Sequence, residues 1–206
     1  MTSPTYTVLR LTEQYSIPLL HRHAARLGGE ALGALQHFRS LAPAPGIFRV
    51  SWDGRQLTTL HLPKSRLSEG MPVRALPSPF AGRQGRFAKP APPNPYDAVR
   101  MDGVATLLTS ADGAELYESC SATVVAWNGT ALVLPPVEAP AVASLAEAAI
   151  EAHEQVVRCP VPAAGDWPLL LVNAVVRTCA PSIPGRRPFP PEVRARLEAL
   201  LAREDA

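Results

Sequence analysis

Hydrophobic and polar residues alternate along several short segments of the chain, as in β-strands that have one buried face. The clearest case is residues 47–52 and 56–62, which flank an Asp53-Gly54 turn and predict a β-hairpin. Other segments predict strands at residues 5–11, 73–76, 104–109, 115–119, 123–127, 131–134 and 167–173. The four strands between residues 104 and 134 are expected to form one antiparallel meander.

Helical spacing occurs between these strands. Ser16 is a candidate N-cap ahead of Pro18, and Leu20, His23, Ala24 and Leu27 then fall on one face of a helix that Gly28-Gly29 ends. Ser144 and Glu147 form a capping-box pattern that opens a helix expected to reach residue 157. Further helices are predicted at residues 30–38, 96–101 and 191–203.

This mixture of strand runs and helices predicts an α+β fold. Twenty-three prolines are present, and they concentrate at residues 77–95 and 181–191, which we interpret as rigid loops or linkers. We place a domain boundary in the first of these stretches. The boundary divides the chain into a small N-terminal α/β domain, residues 1–82, and a C-terminal domain, residues 83–206.

Composition and charge exclude several classes of function. The net charge of +2 comes without a dense basic run, so the sequence predicts no nucleic-acid partner. The three cysteines have neither CxxC nor metal-ligand spacing, which indicates no metal site and a reducing compartment. No signal peptide is recognised, and the longest apolar run, near residues 167–176, is too short to cross a membrane. We therefore expect a cytoplasmic protein.

The candidate chemistry centres on Lys89 and Glu118. The chain contains only two lysines, Lys64 and Lys89, and Glu118 follows Lys89 after two strand-like segments. A lysine and a glutamate on neighbouring strands are what an enzyme needs to hold pyridoxal phosphate, because the lysine forms a Schiff base and the glutamate keeps the pyridine nitrogen protonated. Spacing alone does not distinguish this arrangement from a solvated lysine and a strand-end glutamate.

The order of elements resembles the class IV fold of pyridoxal-phosphate enzymes, which includes branched-chain and D-amino-acid aminotransferases and aminodeoxychorismate lyase. The resemblance implies a two-domain fold of the D-amino-acid aminotransferase type, with a barrel-like C-terminal domain that binds the cofactor. Four stretches carry it: the strand at residues 5–10, the His-x-x-Arg-Leu pattern of residues 23–27, the glutamate and small residues at 118–123, and the Asn-Ala pair at 173–174.

The resemblance assigns a role to five residues. It implies that Lys89 is catalytic and bonds the cofactor, that Arg26 and Ser144 bind the phosphate, that Glu118 faces the pyridine nitrogen, and that Asn173 contacts the substrate. A guanidinium suits a phosphate dianion because it donates two hydrogen bonds and keeps its charge. The plainer interpretations are a surface arginine at Arg26 and an ordinary helix cap at Ser144.

Three features depart from the family pattern. The usual Gly-Ile-Thr-Arg stretch at the helix start is Val142-Ala143-Ser144-Leu145 here, the usual asparagine after the small residues is Thr123, and the leading strand pair is missing, so that the N-terminus reads as trimmed.

The Asn173-Ala174 pair favours a lyase that eliminates pyruvate from 4-amino-4-deoxychorismate to form 4-aminobenzoate, a step in folate biosynthesis. The alternatives are an aminotransferase for a branched-chain or D-amino acid and a non-catalytic relative that binds the cofactor or a partner. The resemblance also implies a homodimer and a small-molecule amino substrate.

Overall fold

The computed structural model describes residues 5–42, 44–62, 67–88, 95–203 and 205. Within these ranges the chain forms five helices, listed here in order: α1 (Leu20–Leu27), α2 (Ala31–Leu41), α3 (Pro95–Val99), α4 (Leu145–His153) and α5 (Pro191–Ala202). The first five strands in chain order are β1 (Thr5–Leu11), β2 (Gly46–Trp52), β3 (Leu57–Leu62), β4 (Val73–Pro77) and β5 (Arg86–Phe87). The remaining strands are β6 (Ala105–Thr109), β7 (Glu115–Ser119), β8 (Thr123–Trp127), β9 (Leu132–Leu134), β10 (Ala141–Val142), β11 (Val156–Arg158), β12 (Val161–Pro162), β13 (Leu169–Asn173) and β14 (Arg177–Cys179). The predicted α+β class is confirmed.

The first half is a three-stranded antiparallel sheet, β1-β2-β3, covered on one face by α1 and α2. Alternate residues of β1 and β2 bury their side chains against the helices, as strand periodicity requires. The resulting core contains Leu9, Leu11, Leu20, Leu27, Leu35, Phe48 and Val50, together with neighbouring apolar residues. The opposite face of this sheet stays available to line a cleft.

The second half contains two larger sheets, of order β12-β7-β6-β4 and β11-β9-β8-β13-β14, and a short parallel pair, β5 with β10. Leu107 and Leu116 of the first sheet pack against Val124 and Leu171 of the second. The other face of the five-stranded sheet is covered by α4 and α5, which bury Ile150 and Leu197 in a separate core.

Most predicted elements are present, but three expectations were wrong. Strands 104–134 do not form one meander, because a tight turn, in which Ser119 N–H donates to Ala122 O at 2.8 Å, sends β7 and β8 into different sheets. Helix α4 ends at His153 rather than residue 157, because Val156 and Val157 pair with β9 as a strand. This pairing agrees with the preference of β-branched residues for strands.

The third wrong expectation concerns the start of α1. Leu19, not Ser16, is the N-cap residue, with a left-handed φ of 57°. Its N–H donates to Arg203 O at 2.7 Å, and its side chain is buried beside α5, so α1 is attached to the end of the last helix. Ser16 instead closes a turn with Thr12, whose side-chain oxygen lies 2.9 Å from the Ser16 hydroxyl.

No helix among the described residues is long and apolar enough to span a membrane. The three cysteines are all free thiols. No described feature tests the division of the chain at residue 82, which remains a prediction.

A buried carboxylate joins three elements of the second half. Glu147 of α4 is 5% exposed, and its Oε1 accepts hydrogen bonds from Arg86 Nη2 of β5 at 2.8 Å and from Arg158 Nη2 of β11 at 2.6 Å. Both guanidinium groups also donate to Pro135 O, at 3.3 Å and 2.6 Å. The two arginines are therefore fixed by one carboxylate and one carbonyl.

We expect Glu147→Gln to lower the free energy of unfolding by about 3 kcal/mol, because it leaves the partly buried Arg86 guanidinium without its anion and removes the more buried of the two carboxylates that pair with Arg158. Urea denaturation would measure the loss. Glu151→Gln is the matched control, since Glu151 contacts only Arg158 of the pair and is 39% exposed. Its loss should stay below about 1 kcal/mol. Equal losses in the two variants would contradict the role of Glu147.

Candidate active site

A cleft of about 460 Å³ lies between the first-half sheet and the second half. Tyr6 and Arg49 line one wall of the cleft from β1 and β2. The opposite wall carries the end of β7, the start of α4 and the turn after β13. Four of the residues singled out in the sequence line this one cleft: Arg26, Glu118, Ser144 and Asn173.

Glu118 is the buried acid of the cleft. It is 6% exposed, near the end of β7, where it pairs with Leu108 of β6. Its Oε1 accepts a hydrogen bond from the Tyr96 hydroxyl, and its Oε2 accepts one from Val142 N–H at 3.1 Å. Burial raises the pKa of Glu118 to about 7, although these hydrogen bonds and the charge of Arg86 act in the opposite direction. The carboxyl can therefore exchange a proton near neutral pH.

Residues 142–144 form the backbone segment on which the site converges. Val142 N–H binds Glu118, and Ala143 N–H donates to Phe87 O at 2.9 Å. Ala143 O accepts from the Arg26 guanidinium, and Ser144 begins α4. A three-residue segment therefore joins β7, β5, α1 and α4.

Arg26 lies in the last turn of α1 and points into the cleft toward the start of α4. Its Nη2 donates to Ala143 O. Burial lowers the pKa of the guanidinium from its ordinary value, but a guanidinium keeps its charge in proteins. The positive charge of Arg26 thus lies partly buried beside the N-terminus of α4, and both features favour binding of an anion.

Ser144 caps α4, and its Oγ accepts the N–H of Glu147 at 3.2 Å. The other half of the predicted capping box is replaced, because the Glu147 carboxylate binds Arg86 and Arg158 instead of reaching back to the cap. The first N–H groups of a helix have no acceptor within the helix, so this end of α4 offers donors to the cleft.

The Asn173 side chain stabilises the backbone at the end of β13. Its Oδ1 accepts from Val175 N–H at 2.9 Å and Val176 N–H at 2.8 Å, and its Nδ2 donates to Ser121 O at 2.9 Å. The side chain therefore holds the turn after β13 against the turn after β7. A substrate contact through this amide has only its remaining N–H to use.

Lys89 lies outside the described residues, as does Lys64. The described chain before this gap is held firmly at β5, where Arg86 and Phe87 pair in parallel with Ala141 and Val142. Phe87, two positions before Lys89 in the sequence, carries the carbonyl that accepts from Ala143.

Tyr96 and Arg49 line the cleft and were not predicted from the sequence as site residues. Arg49 could have been found from alternation, because Phe48 and Val50 are buried in the core and Arg49 points to the other face of β2. No sequence signal identified Tyr96 as a partner of Glu118, because the two are 22 positions apart and only the tertiary fold brings them together.

Comparisons with solved structures identify the fold. A hypothetical aminotransferase from Mycobacterium tuberculosis, in its PLP-bound form, superposes with a TM-score of 0.67 at 18% identity over 99% of this chain and 90% of that one. A fold IV transaminase from Curtobacterium pusillum gives 0.63 at 16% identity over 98% and 87%. A 4-amino-4-deoxychorismate lyase from Pseudomonas aeruginosa gives 0.59 at 15% identity over 97% and 90%.

The sequence itself matches no protein-family model, and no curated protein matches it significantly. The structural likeness nevertheless covers nearly the whole chain. The class IV aminotransferase fold that the resemblance implied is confirmed.

The raised pKa of Glu118 predicts a pH-dependent stability difference between the wild type and Glu118→Gln. The folded state holds the Glu118 proton more tightly than the unfolded state, so this contribution is complete below about pH 4.5 and is lost as pH rises through about 7. We expect the free energy of unfolding of the wild type, relative to Glu118→Gln, to fall by about 3 kcal/mol between pH 4 and pH 8. Urea denaturation of both proteins across this range measures the difference, and a constant difference would contradict the prediction.

Proposed function

We propose that this chain, which has the class IV aminotransferase fold, is a pyridoxal-phosphate-dependent enzyme that eliminates pyruvate from 4-amino-4-deoxychorismate to give 4-aminobenzoate. The observation that supports the cofactor most directly is the convergence of Glu118 and Arg26 on residues 142–144. The cleft thus carries a buried acid beside a backbone donor, Val142 N–H. Arg26 binds the next residue of the same segment, at the N-terminus of α4.

The residues fit the two polar ends of the cofactor. Glu118 is buried, and its carboxylate in the ionised form would accept a hydrogen bond from a protonated ring nitrogen. Arg26 and the first turn of α4 suit the phosphate, since a guanidinium and free backbone N–H groups both stabilise a dianion. The cleft volume of about 460 Å³ lies in the range usual for small-molecule sites.

When bound, the cofactor ring would draw electrons from the amine-bearing carbon of the substrate. Lys89 is proposed to bond the cofactor and to move the proton at that carbon, because Lys64 belongs to none of the stretches that resemble the family. Burial lowers the pKa of a lysine in general, and the neutral amine can then act as a base. Ionised Glu118 would hold the ring proton in place through the reaction.

Asn173-Ala174 supports the lyase, and a lyase from Pseudomonas aeruginosa shares the fold. An aminotransferase for a branched-chain or D-amino acid is the second candidate, because two aminotransferases superpose with the higher TM-scores of 0.67 and 0.63. We further propose a homodimer, which the resemblance implies, and a location in the cytoplasm, which the spacing of the cysteines favours.

Purified protein supplied with pyridoxal phosphate should develop an absorption band near the edge of the visible range, and Lys89→Ala should abolish it. Lys64→Ala is the matched control and should keep the band, because it retains Lys89. The chain has no third lysine that could form the Schiff base. Borohydride reduction followed by peptide mass spectrometry should then place the cofactor mass on the peptide that contains Lys89. A wild type without the band would favour a non-catalytic relative.

The lyase and the aminotransferase are separated by two assays on the loaded protein. We expect pyruvate to be released from 4-amino-4-deoxychorismate, with formation of 4-aminobenzoate and without any added oxo acid. Amino-group transfer to 2-oxoglutarate from branched-chain and D-amino acids is measured in parallel. Activity in the transfer assay alone would overturn the lyase proposal and leave the cofactor proposal intact.

A further inference from the structure

Tyr96 is buried beside the candidate site. It lies in α3, is 4% exposed, and packs edge-on against Phe80 with ring centroids 5.1 Å apart. Its ring belongs to a small apolar cluster that includes Phe80 and Leu108, with Phe87 and Val142 packed against it. The ring is therefore held in place independently of its hydroxyl group.

Among the described residues, the Glu118 carboxylate accepts two hydrogen bonds, one of them from the Tyr96 hydroxyl. The hydroxyl donates to Oε1, and Val142 N–H donates to Oε2 at 3.1 Å. Tyr96 sits in an apolar cluster and Val142 lies in paired strand β10, so neither donor can turn away easily. Two fixed donors therefore set the orientation of the carboxylate and favour its ionised form.

The hydroxyl remains a donor throughout the useful pH range. Burial, the negative charge of Glu118 and the hydrogen bond to it all raise the pKa of Tyr96 above its ordinary value. Hydrogen bonds from a neutral donor to a carboxylate are stronger than those between neutral groups, and they favour the ionised form. Burial of Glu118 favours the neutral form, so the two effects oppose each other at this residue.

We propose that Tyr96 is a positioning residue for Glu118, whose hydroxyl orients the carboxylate and favours its ionised form against the effect of burial. An ionised carboxylate is what a protonated ring nitrogen requires as a partner. This consequence for the cofactor rests on the proposed function. The effect of Tyr96 on Glu118 does not, because it is a property of the cofactor-free protein.

Other charged and titratable groups near the pair remain in place when only the hydroxyl is removed. Arg86 of β5 favours the ionised form of Glu118, Glu147 of α4 opposes it, and the Cys120 thiol follows Glu118 in the chain. Arg83 lies near Tyr96 and stacks over the Phe87 ring at 4.8 Å. Tyr96→Phe leaves all four unchanged and isolates the hydroxyl.

The test is the ionisation midpoint of Glu118 in the cofactor-free protein, followed by the infrared carboxyl band that disappears in Glu118→Gln. Removing one charge-assisted hydrogen bond should raise the midpoint by about one to two pH units in Tyr96→Phe. Tyr117→Phe is the matched control, because Tyr117 precedes Glu118 on the same strand, and its hydroxyl interacts with Ser110 rather than with Glu118. Its midpoint should equal that of the wild type, and an unshifted midpoint in Tyr96→Phe would overturn the proposal.

Two further measurements complete the test. If Tyr96→Phe does not fold, the wild type should show a far-downfield hydroxyl proton resonance that Glu118→Gln lacks, and its absence from the wild type would overturn the proposal. In folded Tyr96→Phe, affinity for pyridoxal phosphate should fall at pH 7 and recover at pH 9. A shifted midpoint in a protein that does not bind pyridoxal phosphate would reject the proposed function and retain the role of Tyr96.

Discussion

The Glu147 carboxylate is the interaction on which the second half of the molecule depends most. It is 5% exposed and accepts hydrogen bonds from two arginines that lie 72 positions apart in the chain, Arg86 and Arg158. A buried carboxylate is costly unless it is paired, and once paired it makes the positions of its partners specific. The result is that the two-residue strand β5, which pairs with β10, is also attached to α4 through Arg86.

Fixing β5 also fixes the candidate active site. Because β5 pairs with β10, the backbone near residues 141–143 is extended, and its N–H and C=O groups point in alternate directions. Val142 N–H meets Glu118, while the Ala143 carbonyl meets Arg26. The buried ion pair and the cleft are therefore parts of one arrangement, in which structural arginines position the residues proposed to bind the cofactor.

Local sequence patterns predicted most elements, because the short-range signals are strong. The Asp53-Gly54 hairpin, the strand at Thr5–Leu11 and the cap at Ser144 depend on residues close together in the chain. The predictions failed where a distant partner decided the outcome. Residues 156–158 became a strand because β9 offered an edge, and Leu19 replaced Ser16 as the helix cap because Arg203 supplied a carbonyl. Such long-range pairings do not produce a hydrophobic periodicity that could be recognised in the sequence.

The sequence by itself determined the residue types of the candidate site: a scarce lysine, an arginine on the first helix and a glutamate before a run of small residues. Only the tertiary structure decided that Arg26 and Glu118 line the same cleft and that Tyr96 binds the acid. It also decided that the Asn173 amide is occupied by backbone groups. The physical reason is that a side chain's chemistry is set by its type, whereas its charge state and partners are set by burial and by residues far away in the chain.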